Sequence, residues 1–357
     1  MGGAWLTGGV QALAEELGWD PESADCIVGT SAGSMVGALV ASGLPPWFMV
    51  AHSAGETFEG LYGADGTEAA VADRSAGAVF RPAGVPIPVP GSLRMMLAAA
   101  ARPTSSHAPS AWLAGLIPAG VVSGDPLRDI IRRVAPQGWT GHPDFWAVAC
   151  DYANGRRVAF GRHDAPEAEL ADAVAASCAI PGFYEPVRIA GRRYVDGGLW
   201  STSNLDLLCE EELDLVICLN PTSSLHPPRA WNPIARVGDV VRSLSGRRLG
   251  SEAKVLRATG TRVVLIQPLR EDLDAMGPNL MARRGRNKVI RVARETVARQ
   301  LDEAPNRAML TGLPPGPDYK VRRPDAPVSE WPRLAEEARA QRGEGGRDRR
   351  WTFRRPA

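Results

Sequence analysis

Apolar residues in this chain recur with two different periods, and segments of the two kinds alternate along the sequence. Helical spacing covers residues 10–17, and Gly18 is placed to end that helix. A strand-like segment at residues 26–28 leads into Gly29, and the small and apolar residues Ala32–Ala41 predict a buried helix. The first part of the chain therefore predicts a helix, a strand, a sharp turn and a second helix.

Strand patterns recur downstream and are separated by helical patterns. We expect strands at residues 145–150, 157–160, 187–189, 193–195, 213–219 and 261–267, and a basic helix over residues 282–301. This alternation favours an α/β fold with a mainly parallel sheet.

Two regions lack a regular pattern. Residues 70–122 contain a Pro-rich stretch and short apolar segments, which we interpret either as a lid or membrane-facing rim or as a packed helical insertion. Residues 313–357 are polar and rich in Arg, and we expect this tail to be disordered. The main domain is expected over residues 1–312.

The composition is that of an ordinary globular protein. The chain has 357 residues, of which 44% are hydrophobic and 23% charged, and 41 Lys plus Arg stand against 40 Asp plus Glu, a net charge of +1. A near-neutral chain has no global field to hold nucleic acid, so no nucleic-acid partner is expected. The five cysteines have no paired short spacing, so no metal site is expected.

The expected location is cytoplasmic. No basic segment precedes an apolar stretch at the N-terminus, and no apolar run approaches the ~20 residues that a membrane span requires. The basic helix over residues 282–301 adds peripheral contact with an anionic membrane surface as an option.

The segment Gly29-Thr30-Ser31-Ala32-Gly33 is a GxSxG pentapeptide at the expected strand-to-helix turn. A nucleophilic serine there needs a sharp, strained backbone, and glycine on both sides lets neighbouring backbone approach without a Cβ clash. The N–H of Ala32 and the dipole of the following helix would then face negative charge that develops on a substrate. The alternative is a small-residue turn in which Ser31 only caps the helix.

A serine hydroxyl needs a base to take its proton, and Asp196 is one candidate. Asp196 ends an expected strand, and Gly197 and Gly198 after it allow a tight turn toward another loop. A carboxylate acts as a general base only where burial or neighbours raise its pKa toward the working pH. An ordinary Asp-Gly turn at a strand end is the alternative.

Histidine could supply the base instead. The five histidines, His52, His107, His142, His163 and His226, lie in no motif that fixes a geometry. In the order serine, acid, histidine, only His226 follows a plausible acid, so a triad with His226 stays open. Its Pro-rich surroundings favour a surface loop.

The two motifs together resemble those of the patatin-like phospholipases, serine acyl hydrolases with a Ser in GxSxG and an Asp in DG[GA]. Residues 176–187, ASCAIPGFYEPV, resemble the block that precedes the family's Asp, and residues 150–155 resemble the strand and turn before that block. The resemblance covers about residues 3–220 and extends more loosely to about residue 290. It implies a three-layer α/β fold with a mostly parallel central sheet.

By this resemblance Ser31 is the nucleophile and Asp196 the proton acceptor of a catalytic dyad, and no histidine is needed. The residues that would shape the two turns and support the oxyanion are Gly29, Ala32, Gly33, Gly197 and Gly198. The implied activity is lipid acyl hydrolysis of the phospholipase A or lysophospholipase type, through an acyl-enzyme and without a cofactor. The implied partner is a lipid or phospholipid substrate.

The chain departs from the family pattern at its start. The family's Gly-rich oxyanion loop follows an N-terminal strand, and residues 3–5 align with the end of that loop, so the strand and a basic residue would lie before Met1. Three explanations stay open: a start recorded too far downstream, Gly2 and Gly3 acting as substitute donors, or weakened catalysis. Weakened catalysis adds a non-catalytic lipid-binding relative as a rival function, beside the carboxylesterase that would use Ser31, Asp196 and His226.

Overall fold

The computed structural model describes residues 1–54, 82, 84, 88–102, 108–224, 233–277, 279, 282 and 285–314, without the side chains at 54, 108 and 233–241. Several parts of the chain lie outside the described residues: His107, His226, all of the tail beyond Pro314 and much of the first half of the region 70–122. The expectations of a His226 triad and of a disordered tail therefore stay predictions.

The helices in the described part of the chain are α1 (Gly2–Leu17), α2 (Ala32–Ala41), α3 (Pro46–Ala54), α4 (Leu93–Ala100), α5 (Ala108–Leu116), α6 (Asp125–Val134), α7 (Leu170–Ser177), α8 (Pro233–Ala258), α9 (Arg270–Met276), α10 (Arg286–Asp302) and α11 (Ala304–Leu310). The strands are β1 (Ile27–Thr30), β2 (Phe145–Asp151), β3 (Arg157–Phe160), β4 (Val187–Ile189), β5 (Arg192–Asp196), β6 (Leu215–Leu219) and β7 (Arg262–Ile266). Each expected strand is present, and its ends differ from the expected ones by two residues or fewer.

Helix α1 is longer than the spacing over residues 10–17 indicates, because it begins at Gly2. The added N-terminal part of α1 contains small residues because it packs closely on α10. A Cβ at Gly8 would lie 2.3 Å from the carbonyl oxygen of Ile290, so glycine is needed at this contact. Gly18 ends α1 in the left-handed conformation, with φ 57°, as expected. The chain thus enters the described fold in a helix.

The strands form two paired groups. Strand β2 is parallel to β1 and antiparallel to β3 and β5, and β5 is antiparallel to β4. Three of these five strands, β1, β2 and β4, therefore run in one direction, and in the second group β6 and β7 are parallel. The expected α/β fold with a mostly parallel sheet is confirmed, and short connections make β3 and β5 the antiparallel members.

Strand β2 is buried along its whole length and organises the larger group. Ala147 pairs with Gly29 of β1 and, on its other side, with β3. Ala149 also pairs with β3, and on the other side it pairs with Asp196 of β5. Strands β1 and β5 therefore share one edge of β2 and meet there with their C-terminal ends facing each other.

Helices cover both faces of the sheet. The larger core packs α1, α2, α7 and α10 against one face, around residues such as Trp5, Phe145 and Val289. The smaller core packs α8 against the other face, around Trp146 and Leu249. The arrangement is the expected stack of three layers.

A cavity of about 1420 Å³ lies between β1 and β6 and is lined by both strands. Ile27 and Ile217 contact the larger core, whereas Val28 and Cys218 contact the smaller one, so β1 and β6 belong to the same layer. Among the described residues, no strand pairs with the edge that either strand turns toward the cavity. The cavity is therefore a slot in the plane of the sheet.

Candidate active site

Ser31 lies at a strained turn between β1 and α2. Its backbone has φ 55° and ψ −125°, a conformation that residues other than glycine rarely adopt. A Cβ at Gly29 would lie 2.4 Å from the Cα of Ser34, so the turn requires glycine at this position. A Cβ at Gly33 would meet nothing within 4 Å, so the expected clash is absent there and Gly33 instead leaves open space beside Ser31.

The hydroxyl of Ser177 stands between β1 and β2 where the strand pairing ends. If the parallel ladder continued, its next hydrogen bond would run from the N–H of Ser31 to the carbonyl oxygen of Val148. Instead this N–H donates to Ser177 Oγ at 2.9 Å, and Ser177 Oγ donates to Val148 O at 2.6 Å. The inserted hydroxyl satisfies both backbone groups while the chain leaves the strand at Ser31.

Two side chains hold the carbonyl group of Ser31. Ser34 Oγ donates to this oxygen at 2.7 Å, and Cys178 Sγ donates to it at 3.2 Å. Burial, together with the charge of Asp196, raises the pKa of the Cys178 thiol to about 12, so the thiol keeps its proton and remains a donor. Two side-chain donors therefore stabilise the strained conformation at Ser31.

Asp196 is the last residue of β5, directly beyond the end of β1. Thr30 is paired with Val148 and Asp196 with Ala149, so neighbouring residues of β2 position the two candidate side chains. The carboxylate accepts the N–H of Gly198 at 2.7 Å within the 3-10 turn Gly197–Leu199. A Cβ at Gly197 would lie 2.3 Å from Val148 O, so this turn needs glycine.

The carboxyl group of Asp196 is buried, with 6% of the residue exposed. Burial raises its pKa from 3.8 to about 6, while hydrogen bonds from the Ser31 side chain and from the Gly198 N–H act in the opposite direction. At neutral pH the group is therefore ionised and is a stronger proton acceptor than an exposed carboxylate. Ser31 and Asp196, which are 165 residues apart in the sequence, are brought next to each other by the ends of β1 and β5.

The N-termini of two helices lie at this pair. Ala32 and Gly33 begin α2, and the first N–H groups of a helix have no acceptor within it. A Cβ at Gly3, in the first turn of α1, would lie 3.8 Å from the Cβ of Ala32, and Gly2 and Gly3 line the cavity beside Ser31. Both helix dipoles favour negative charge at this position.

The cavity reaches both candidate residues and is largely apolar. Apolar residues that line it are Leu6, Val36, Leu39, Phe48, Ile180 and Leu199. Within the described part of the region 70–122, no residue lines the cavity. The interpretation of this region as a lid stays a prediction.

The described histidines take no part in the pair formed by Ser31 and Asp196. His142 is buried, its Nε2 contacts the carbonyl oxygen of Ala24 at 2.7 Å, and its Nδ1 accepts the N–H of Asp144 at 3.1 Å. His52 lines the cavity and stacks on Phe48 at 6.3 Å between ring centroids.

No group of three His, Cys, Asp or Glu side chains in the described residues could hold a metal ion. In the same part of the chain, no helix has both the length and the hydropathy needed to cross a membrane.

Sequence reasoning missed two polar residues that hold the site. Ser177 belongs to the motif block at residues 176–187, but nothing in that pattern assigns its hydroxyl to the turn at Ser31. Asn204 is fully buried with φ 53°, and its Nδ2 donates to Thr30 Oγ1 at 2.9 Å, next to Ser31. A signal that could have found Asn204 is asparagine's tolerance of left-handed backbone, but this signal is weak.

The comparisons with known proteins agree with this geometry. A family model described as Patatin-like phospholipase matches residues 1–208, more than half of the chain. The chain belongs to the patatin-like phospholipase family, and membership supports lipid acyl hydrolase activity with a lipid substrate. No curated protein matches the chain.

Proposed function

We propose that the protein hydrolyses fatty-acyl esters of phospholipids or lysophospholipids through a dyad of Ser31 and Asp196. The observation that carries the proposal is the placement of Ser31, at a strained turn, next to the buried carboxyl group of Asp196 on the wall of a large apolar cavity. A dyad of this kind needs no histidine, because the buried carboxylate itself accepts the proton.

In the first half of the reaction, Asp196 accepts the proton of the Ser31 hydroxyl while Ser31 Oγ attacks the ester carbonyl. The resulting oxyanion faces the N–H groups at the start of α2, with Ala32 as the first donor. The tetrahedral intermediate then collapses, the alcohol leaves with the proton from Asp196, and the acyl group remains on Ser31.

In the second half, Asp196 accepts a proton from water, and the hydroxide attacks the acyl-enzyme. Collapse of this second intermediate returns the proton to Ser31 Oγ and releases the fatty acid. The pKa of about 6 for Asp196 supports both directions of proton transfer near neutral pH.

The N-terminal helix α1 supplies further candidate donors for the oxyanion. Gly2 and Gly3 lie in its first turn, where N–H groups have no acceptor within the helix. The position of Gly3 beside Ala32, with Gly2 in the same helical turn, supports the explanation in which they act as substitute donors. A single missing oxyanion donor lowers turnover by about 100- to 1000-fold, so these groups decide how fast the enzyme is.

A lipid panel of phospholipids, lysophospholipids and a soluble short-chain nitrophenyl ester tests the proposal. Ser31→Ala and Asp196→Asn should each lower hydrolysis by on the order of 1000-fold or more. Ser251→Ala and Asp274→Asn are matched controls, because both residues are exposed on helices away from the site, and they should keep wild-type activity. Wild-type hydrolysis by Ser31→Ala would contradict the proposal.

The rivals give different results in the same assays. His226→Ala should keep activity if the dyad is correct and lose it if the esterase triad is correct. A fluorophosphonate probe should label the wild type and leave Ser31→Ala unlabelled. A wild-type protein that binds lipid vesicles but is never labelled and hydrolyses nothing would favour the non-catalytic lipid-binding rival.

A cytoplasmic location with peripheral contact at a membrane surface is part of the proposal, because an insoluble substrate has to be reached at its surface.

A further inference from the structure

Helices α4 and α5 pack on each other beside the loop that carries Asp196. Met95 of α4 and Ala114 of α5 are buried against Tyr152 and Val195 in a small core of their own. Ser110 Oγ donates to the carbonyl oxygen of Leu199 at 3.0 Å, in the turn that follows Asp196. One face of this helix pair is thus attached to the site.

The opposite face of the pair is apolar and exposed. We define the hairpin face as Leu93 and Leu97 of α4 together with Trp112, Leu113 and Leu116 of α5. These side chains are 62%, 71%, 43%, 54% and 40% exposed, and with Val89 they make up six of the eight exposed large apolar residues in the described part of the chain. The spacing of Leu93 and Leu97, and of Trp112 and Leu116, puts each pair on one side of its helix.

An exposed apolar cluster of this size marks a binding surface, because single scattered leucines are normal on a protein surface but contiguous ones are not. A tryptophan beside leucines is typical of segments that lie in the boundary between lipid headgroups and acyl chains.

The charge around the hairpin face indicates the kind of partner. The sequence from residue 75 to residue 124 contains no Asp and no Glu, although the whole chain has 40 of them. Arg94 and Arg102 lie on or directly after α4 and are exposed. A segment that combines exposed leucines with arginines and has no carboxylate in its own sequence is complementary to an anionic lipid bilayer, where each basic residue adds attraction.

We propose that the hairpin face binds the protein to anionic lipid bilayers, with the leucines and Trp112 inserted among the acyl chains and Arg94 and Arg102 at the headgroups. The inference deepens the proposed function and rests on it only in naming lipid as the substrate. Through Ser110 and Leu199, the docked face holds the Asp196 turn close to the surface that supplies the substrate.

Binding is measured with the full-length Ser31→Ala protein, so that the vesicles stay intact. Flotation is compared for vesicles of phosphatidylcholine alone and of phosphatidylcholine mixed with phosphatidylglycerol. The variant Leu97→Glu/Leu113→Glu should reduce binding to the mixed vesicles by at least about 10-fold. The matched control is Leu244→Glu/Val255→Glu, which changes two residues of α8 with similar exposure, 58% and 52%, and should bind as the parent does.

Two further arms test the remaining parts. Arg94→Glu/Arg102→Glu should lower binding to the mixed vesicles, whereas the control Arg188→Glu, at an exposed position of β4, should not. Brominated acyl chains should quench the fluorescence of the parent more than that of Trp112→Phe, because only the parent carries the inserted tryptophan.

Each result decides for or against the hairpin face. Unchanged binding by Leu97→Glu/Leu113→Glu, an equal loss in the α8 control, or no binding by the parent would overturn the proposal, and equal binding to both vesicle types would overturn the anionic partner. A dimer of the parent that the hairpin variant dissolves would assign the face to a second copy of the chain instead. In a background with Ser31 intact, the hairpin variant should hydrolyse the soluble nitrophenyl ester at the wild-type rate, and failure of the wild type in this assay would count against the proposed function alone.

Discussion

The two edges of β1 have opposite surroundings. On one edge, the N–H of Ile27 donates to the carbonyl oxygen of Asp144 at 2.8 Å, and the pairing with β2 continues to Thr30. Because hydrogen-bonding groups alternate along a strand, the N–H and C=O of Val28 and Thr30 point the other way, into the slot.

Strand β6 repeats this arrangement on the far side of the slot. Asn220 donates its N–H to Ile266 O, and Arg262 donates to Asp214 O, which leaves the backbone groups of Leu215, Ile217 and Leu219 directed toward β1. Strand β2, which pairs with one edge of β1 and with β5, positions Ser31 and Asp196, whereas the slot edge of β1 leaves strand backbone open to the cavity. The geometry of the candidate site therefore depends on the pairing of β1 and β5 with β2.

We expect the largest effect on stability from removing the buried charge of Asp196, which lies beyond the paired edge of β1. The folded pKa of Asp196, about 6, lies above its ordinary value of 3.8, so folding is favoured by protonation, and the ionised group costs about 1.36 kcal/mol per pKa unit, about 3 kcal/mol in all, above pH 6. Asp196→Asn should therefore be as stable as wild type near pH 4 and more stable by up to about 3 kcal/mol at pH 8. Urea unfolding of both proteins across this pH range measures the difference.

The same titration sets the pH dependence of catalysis, because the dyad needs ionised Asp196. Wild-type hydrolysis of the soluble ester should fall about tenfold per pH unit below pH 6. A flat profile between pH 5 and pH 7, together with an Asn variant that gains no stability, would show that Asp196 is not the buried acid.

The next largest effect on stability is a difference between two valine-to-alanine changes, one in the paired strand β2 and one beside the slot. Val148 of β2 is fully buried, whereas Val28 of β1 is half-buried beside the slot. Val148→Ala should lower the free energy of unfolding by about 2 to 3 kcal/mol and Val28→Ala by about 1 kcal/mol or less, because the cavity cost applies only where packing is complete. Equal losses in urea unfolding would mean that the slot is filled in solution.

We expect a smaller effect, on catalysis, from removing the Ser177 hydroxyl that lies between β1 and β2. Ser177→Ala leaves the N–H of Ser31 and the C=O of Val148 without their shared partner, so the turn loses its alignment. We expect kcat to fall about 10-fold with KM nearly unchanged, and labelling by the fluorophosphonate probe to slow in parallel.

Ser34→Ala is the matched control for Ser177. It also removes one hydrogen bond to the turn, but the carbonyl oxygen of Ser31 keeps the Cys178 donor. Its kcat should fall less than that of Ser177→Ala. A Ser177→Ala protein with lowered melting temperature and wild-type kcat would make Ser177 a structural residue only.

The smallest effect is a difference in amide exchange. Hydrogen exchange should be faster at Val28, Thr30 and Ile217, whose amides face the slot, than at Ala147 and Ala149, whose amides pair with β3. Mass spectrometry of peptides from β1, β6 and β2 measures it, and equal protection of all three strands would contradict an open slot.

The sequence alone predicted those features that depend on neighbouring residues. Gly18 ends α1 and the strand ends lie close to where period-two patterns put them, since backbone conformation and hydrophobic spacing are local properties. The turn at Ser31 was predicted for the same reason: Gly29 is required by Ser34, only five residues away. The expectation for Gly33 was wrong because the space beside it belongs to the cavity, which no local pattern encodes.

The assembly of the site depends on contacts between segments that are far apart in the sequence. Strands β1 and β5 meet on one edge of β2, Ser177 reaches Ser31 across 146 residues of sequence, and the burial that raises the pKa of Asp196 comes from all the layers together. The slot between β1 and β6 and the exposed hairpin face also follow from which elements pack and which do not. These features depend on contacts between distant segments, and the energies of such contacts are set by three-dimensional packing rather than by any window of the chain.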